Sequence, residues 1–253
     1  MPNKPASYRF VFVIPVYNHQ DTIVKVIEQV KAFQYPIFVV NDGSTDQTSL
    51  KLKNIGGITV IDHPENRGKG AALKSGFQAA ANIADWAITL DADGQHNPQD
   101  TEKLTSVIND TNRPIVVGAR KGMDGEHVPW TSRFGRGFSN FWVFVSGGPW
   151  LQDTQSGFRI YPLPETHFLK TKSQRYQFEV EVLVKAKWAG IPIAETPISV
   201  HYEPGAKRIS HFKPFKDFMR NSIAFTRLIT QRILIPSPLR RRITTSSGRL
   251  SQK

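Results

Sequence analysis

Five times within its first 120 residues the chain runs through a short apolar, β-branched stretch and stops it on a polar cluster. The stretches are "YRFVFVIPVYN" (Tyr8–Asn18), "PIFVVNDGSTD", "GITVIDHPEN", "WAITLDADG" and "RPIVVGAR". Between them lie segments with helical spacing. In "DTIVKVIEQVKAF", Ile23, Ile27, Val30 and Phe33 recur behind an N-cap candidate, Asp21. "GKGAALKSGFQAAAN" is Ala-rich, and "NPQDTEKLTSVIND" places Asn97 at an N-cap and Pro98 in the first turn. Continuous apolar strands alternating with helices predict an α/β fold, a mainly parallel central sheet with helices on both faces. Ligands bind such open sheets beyond the carboxyl ends of the strands. Those ends read "PVYN", "NDGSTD", "DHPENRGKG", "DADGQ" and "GAR", so a single polar rim is expected to form the site.

Composition narrows the function. The 253 residues are 39% hydrophobic and 21% charged, enough apolar material for a large core. The absence of Cys excludes disulfides, thiolate metal ligands and a cysteine nucleophile. "MPNKPASYRF" has no long apolar run before a small-residue cleavage site, so no signal peptide is expected. No window reaches the roughly 18–20 apolar residues that a membrane span needs. The net charge of +12 is uneven: ten of the 33 Lys and Arg, but one of the 21 acids, lie from Lys213 onward. A basic tail suits nucleic acid or an anionic membrane surface. Nucleic acid is not expected as a partner, because the chain lacks aromatic–basic interleaving and any reader motif, and that function leaves the acidic rim unexplained.

The rim's sharpest feature is Asp91 and Asp93 in "ITLDADGQHNPQD". On extended backbone, residues i and i+2 point the same way, and no arginine stands beside this pair to neutralise it. A hard divalent cation, Mg²⁺ or Mn²⁺, takes such oxygens and leaves positions for substrate phosphates. The missing counter-charge is then expected to arrive with the ligand.

In order along the chain, "IPVYN", "VVNDGSTDQT", "NRGKGAALKSG" and "DADGQH" resemble family-two glycosyltransferases of the GT-A fold. "DTQSGFRIY" (Asp153–Tyr161), "YQFEVEVLVKA" (Tyr176–Ala186) and "ETPISVHYEPGAKRISHF" (Glu195–Phe212) are similar to the dolichyl- and polyprenyl-phosphate mannosyl- and glucosyltransferase branch. The resemblance covers roughly residues 8–212. It implies a GDP- or UDP-linked sugar donor, an inverting displacement and a divalent metal. It further implies that Asp42 accepts hydrogen bonds from the nucleobase in a pocket shaped by Pro15, Tyr17 and Asn18. Lys69 is expected near the diphosphate, where the helix N-terminus also favours anions, or else as a surface lysine in a turn. Asp91 would contact ribose and metal, and Asp93 and Gln95 would hold the metal. His96 reads as a structural or rim residue rather than a ligand. Of Lys207 and Arg208, one would reach the diphosphate.

The acceptor decides what else is needed. A hydroxyl acceptor requires a general base, for which Asp153 is the candidate. A lipid phosphate is already ionised and needs cations to position it, and Arg120, Arg133 and Arg136 are candidates for that. The close family usually shows a hydroxyl residue where Arg136 falls. Arg159 is open between a phosphate contact and a buried partner for Asp153, with the second favoured. Glu179 and Glu181 enter a helix, so one of the two is expected to face the site.

Residues 1–212 therefore read as the catalytic domain and 213–236 as a basic amphipathic helix. Residues 237–253 read as a disordered basic tail. In the helix Phe215, Phe218, Met219, Ser222, Thr226, Ile229 and Ile233 fall near one face, which suits an anionic bilayer. The other open reading is a helix packed on the body. The expected enzyme is a peripheral one at the cytoplasmic membrane face, serving the cell envelope.

Overall fold

The strand β1 (Phe10–Val16) divides its apolar residues between two cores: Val11 and Val13 face one side of the sheet, Phe12 and Ile14 the other. That is the period-two alternation of a strand buried on both faces. The computed structural model describes residues 8–109, 112–121, 130–200 and 214–245. The other strands are β2 (Ile37–Asn41), β3 (Thr59–Asp62), β4 (Trp86–Thr89), β5 (Ile115–Arg120), β6 (Arg159–Pro162) and β7 (Ile193–Ile198). They form a seven-stranded sheet in the order β3-β2-β1-β4-β6-β5-β7.

All pairings are parallel except those of β6, which runs antiparallel to both β4 and β5. The sequence shows β6 as an apolar run but not its direction. The reversal matters for function. Thr89, the last residue of β4, is paired with Arg159, the first of β6. The loop "DTQSGF" that precedes β6 is thereby delivered to the same rim as the carboxyl end of β4.

The helices are α1 (Ile23–Lys31), α2 (Thr48–Lys53), α3 (Lys69–Ala80), α4 (Thr101–Thr105), α5 (Trp130–Val145), α6 (Gln177–Ala189), α7 (Pro214–Leu234) and α8 (Ser237–Thr244). One core joins α3 and α6 to the sheet through Leu73, Phe77, Phe178 and Val182. The opposite core joins α1, α2 and α4 through Ile23, Ile27, Leu52 and Leu104. Full burial of side chains such as these contributes about 1.5–3 kcal/mol each. A third cluster, Val143, Val180, Val184, Phe225 and Leu228, packs α5 and α7 onto α6.

Two local expectations change. Asp21 does not cap α1; Thr22 precedes the helix, and its hydroxyl donates to the carbonyl of Ala92 at 2.6 Å. Residues 237–253 are not disordered throughout, because α8 occupies Ser237–Thr244 with a proline in its first turn. Arg240 lies over the Trp188 ring at 4.9 Å and donates to the carbonyl of Arg232, while Arg241 and Arg242 are exposed. Asn97 does cap the turn Pro98–Asp100, accepting from the Gln99 amide, and α4 follows.

Helix α7 packs one face on the body. Asp217, Asn221, Ala224, Phe225 and Leu228 are buried, at the spacing of one helical face. Phe215, Met219, Ile223 and Ile233 are exposed on the other. No helix among the described residues is long and apolar enough to cross a membrane.

Candidate functional site

Strand β4 ends at Thr89, so Asp91 and Asp93 lie in the turn beyond it and the two-residue alternation of a strand does not reach them. The turn is fixed from both sides. Asp93 Oδ1 accepts from the Gln95 amide at 3.0 Å. Farther on, the buried Asp100 accepts from the amide and hydroxyl of Ser199, both at 2.6 Å, and meets Lys103 at 2.5 Å. His96, expected as a structural or rim residue, is buried against Phe158, with Nε2 3.7 Å from Asp91 Oδ2. Among the described residues its Nδ1 has no hydrogen-bond partner.

The expectation that Asp91 awaits its counter-charge is corrected here. Lys69 Nζ lies 2.5 Å from Asp91 Oδ1 and 2.6 Å from Glu179 Oε1. The Lys69 side chain is 14% exposed, so it is not a surface lysine. Burial works to raise the Asp91 pKa, but the Lys69 charge and the His96 hydrogen bond overcome it, holding the carboxyl far below its usual range. Burial likewise works against the Lys69 ammonium, and the charges of Asp91 and Glu179 prevail and hold it above the ordinary lysine range. A Cβ on Gly157 would come within 2.5 Å of Asp91 Oδ2 and 2.6 Å of Lys69 Nζ, so the acceptor-side loop lies directly against this pair.

Asp42 holds the approach to Lys69. It is 2% exposed, and its oxygens accept from the Arg67 amide at 3.0 Å and the Gly68 amide at 2.7 Å and meet His63 Nδ1 at 2.7 Å. His63 Nε2 in turn meets the Ser75 hydroxyl at 2.9 Å. Two of these three contacts come from the entry to α3, so Asp42 sets where Lys69 starts. Gly68 makes that entry at a φ of +103°, a conformation that favours glycine. Pro15 is a buried strand residue opposite Val40. Asn18, half-buried, ties the β1–α1 loop to the β2–α2 loop by accepting from the Thr45 amide at 2.7 Å. Tyr17 is half-buried beside it.

On the acceptor side Asp153 and Arg120 are found together. Arg120 donates from Nε at 2.6 Å and Nη2 at 3.0 Å to the two oxygens of Asp153, which is fully buried. Burial alone would raise the Asp153 pKa; the hydrogen bonds and charge of Arg120 more than offset it and leave the carboxyl below its usual range. Arg120 is thus committed to Asp153 rather than free for an acceptor phosphate, and Asp153 is not poised as a base. Arg159 is not the partner of Asp153. It is fully buried and donates to the carbonyls of Ser156, Glu179 and Thr154 and to the Tyr161 hydroxyl. Arg136 lies half-buried on α5. Lys207, Arg208 and the side chain of Arg133 lie outside the described residues.

One expected contributor is found, and two more, Glu195 and Tyr176, had no signal in the sequence. Glu179 partners Lys69, while Glu181 points away to Arg227 at 2.9 Å, so the split between the two is as a helix requires. Glu195 accepts from the Gln152 and Asp153 amides and anchors the loop. Tyr176 at the start of α6 has its phenol pushed up to about 12, mainly by burial, with Lys69 opposing and Asp91 and Glu179 assisting, so it remains a hydrogen-bond donor.

Residues 11–163 match the family described as glycosyl transferase family 2. The chain is a family 2 glycosyltransferase. Its structure superposes on glucosyl-3-phosphoglycerate synthase from Mycobacterium tuberculosis, solved with Mg²⁺ and uridine diphosphate, with a TM-score of 0.65 at 21% identity, covering 91% of this chain and 81% of the other. The fold of this glycosyltransferase is therefore GT-A, as expected. It is 31% identical over 212 residues to the UDP-N-acetylglucosamine–dolichyl-phosphate N-acetylglucosaminyltransferase of Methanococcus voltae, covering 75% of this chain and 84% of that one. The dolichyl-phosphate β-glucosyltransferase of Saccharomyces cerevisiae is 31% identical over 251 residues, covering 84% and 74%.

No group of three or more His, Cys, Asp and Glu placed to hold a metal ion occurs among the described residues. The donor chemistry still fits a hard cation: Asp91, Asp93 and Gln95 offer carboxylate and amide oxygens and are all partly exposed.

Proposed function

We propose that this glycosyltransferase moves a sugar, with inversion, from a GDP- or UDP-linked donor to a polyprenyl phosphate or related lipid-linked phosphate at a membrane surface. The observation that carries the choice of acceptor is the Asp153–Arg120 pair. An alcohol must lose a proton as it attacks, and the Asp153 carboxylate is buried, occupied on both oxygens by Arg120 and made a weaker base by that arginine. A phosphate brings its own charge and needs no base. Both relatives described above act on a dolichyl phosphate by name, which supports the same reading.

On this reading Asp91, Asp93 and Gln95 hold Mg²⁺ or Mn²⁺. When bound, the ion supplies electrostatic stabilisation for the charge that grows on the departing diphosphate. The protein's own groups do the rest. The α3 N-terminus, held by Asp42, presents Lys69 beside Asp91, and Arg136 with Arg133 remain the cations proposed for the acceptor phosphate. Tyr17 and Asn18 line the proposed nucleotide side, and Lys207 or Arg208 is proposed for the diphosphate.

The test is release of nucleoside diphosphate from GDP- and UDP-sugars with Mg²⁺ or Mn²⁺. Release is expected with polyprenyl phosphate present and to stop on chelation. Turnover with a soluble sugar acceptor in place of the lipid would refute the proposal.

Membrane docking rests on where the apolar surface lies. Of the fourteen exposed large hydrophobic side chains among the described residues, eleven fall between Phe141 and Ile243, on α5, Trp150, α7 and α8. Lys216, Arg220, Arg240, Arg241 and Arg242 accompany them, a pairing suited to an anionic bilayer. The full chain is expected to float with anionic vesicles, and Ile223→Asp, at a site 64% exposed, is expected to reduce flotation without lowering the melting temperature. Equal flotation by both would remove α7 from the interface.

A further inference from the structure

Lys69 stands where the account above puts a divalent cation. Its ammonium bridges two carboxylates from separate elements, Asp91 after β4 and Glu179 in the first turn of α6. The bridge is built in. Asp42 fixes the Arg67 and Gly68 amides immediately before Lys69, and Gly157 crosses so close that a Cβ there would press on the ends of both side chains. Glu179 is 7% exposed on its side chain, so water does little to soften its charge.

We propose that Lys69 is a tethered counter-ion: it neutralises Asp91 in the donor-free enzyme and yields Asp91 to the divalent cation only when a diphosphate arrives, with Glu179 keeping hold of the ammonium. The inference rests on the proposed donor chemistry and goes beyond it by giving Glu179 a positioning role. An ammonium at 2.5 Å from Asp91 Oδ1 and a divalent cation on the same carboxylate repel strongly. The cation alone must therefore displace Lys69 and binds weakly. A diphosphate changes the balance, since its oxygens give Lys69 a new anionic partner while completing the cation's coordination. Lysine suits this task, because its charge sits on a flexible four-carbon stem and can shift while the backbone stays fixed. Metal and nucleotide then bind with positive coupling, and Lys69 adds to the part that the diphosphate supplies by coordinating the cation directly.

The experiment titrates Mn²⁺ into the full chain by calorimetry or by the electron paramagnetic resonance signal of free Mn²⁺, without nucleotide and with saturating UDP or GDP. For the native chain the nucleoside diphosphate is expected to tighten Mn²⁺ at least about tenfold, within the usual range of coupling between sites. Lys69→Met is expected to tighten Mn²⁺ about tenfold in the absence of nucleotide and to lower the coupling by about the same factor, the remainder being direct coordination of the cation by the diphosphate. Glu179→Gln is expected to move the other way, because Lys69 then has only Asp91 and Mn²⁺ alone binds more weakly. Opposite movements from two substitutions at one bridge are not what general loosening produces. If the native chain binds Mn²⁺ neither alone nor with UDP or GDP, the proposed function itself fails. If it binds the metal–nucleotide pair but Lys69→Met leaves the affinity for Mn²⁺ alone or the coupling unchanged, the counter-ion role is overturned. Should Lys69→Met not fold, Glu179→Gln carries the test, and unchanged or tighter Mn²⁺ binding there overturns it equally.

Discussion

Asp93→Ala is expected to lower turnover about 10²–10³-fold, the effect of removing one group that serves charge developing in a transition state. The folded protein should hardly notice. Asp93 is half-exposed, and its recorded hydrogen bond is a local one from the Gln95 amide. Loss of a rim contact of this kind changes stability by about 0.5 kcal/mol or less. Asp91 is a poorer probe, since removing it strands Lys69 against Glu179 and disturbs the fold as well as the chemistry. The check is a pair of measurements, steady-state turnover and thermal melting. Retained activity in Asp93→Ala would remove Asp93 from the metal site.

The largest loss of stability is expected from Arg159→Met. The guanidinium is fully buried and donates to the carbonyls of Ser156 at 2.7 Å, Glu179 at 2.8 Å and Thr154 at 2.8 Å, and to the Tyr161 hydroxyl at 3.3 Å. Methionine fills much of the volume but leaves those acceptors unpaired in a dry interior. A loss of about 3–5 kcal/mol follows, since each buried group left without a partner costs about 1–3 kcal/mol. For a domain of this size that corresponds to a melting temperature lower by roughly 10 °C. Activity should fall too, although Arg159 touches no proposed ligand, because the same bonds hold Gly157 against Asp91 and Lys69. A melting temperature unchanged within about 2 °C would show that water or neighbours satisfy these carbonyls.

These two residues also mark what a sequence can and cannot disclose. Local signals read well. Continuous apolar runs announced strands buried on both faces, Asn97 announced its turn, and the five polar strand ends pointed to one rim. Pairing across long separations did not read. Lys69 is 110 residues from Glu179, and Arg120 is 33 from Asp153. No spacing rule connects such positions, and only the antiparallel insertion of β6 brings the acceptor loop to Asp91. Charges were the commonest source of error, because a sequence shows a charged residue but not its partner. Asp42 gave no sign in the sequence of holding the start of α3. The arginines of α8 looked solvated, yet Arg240 lies over Trp188. Asp153 looked like a base and is made a weaker one by the arginine expected to bind phosphate.

That last correction sharpens the central claim, which is that the site transfers to an acceptor already carrying its negative charge. The direct measurement is the structure of the product formed from a GDP- or UDP-sugar and polyprenyl phosphate, by phosphorus NMR and mass spectrometry. A sugar joined to the lipid through a phosphodiester, with the anomeric configuration inverted, is the predicted result. A sugar joined to a hydroxyl, with the polyprenyl phosphate recovered unchanged, would contradict it.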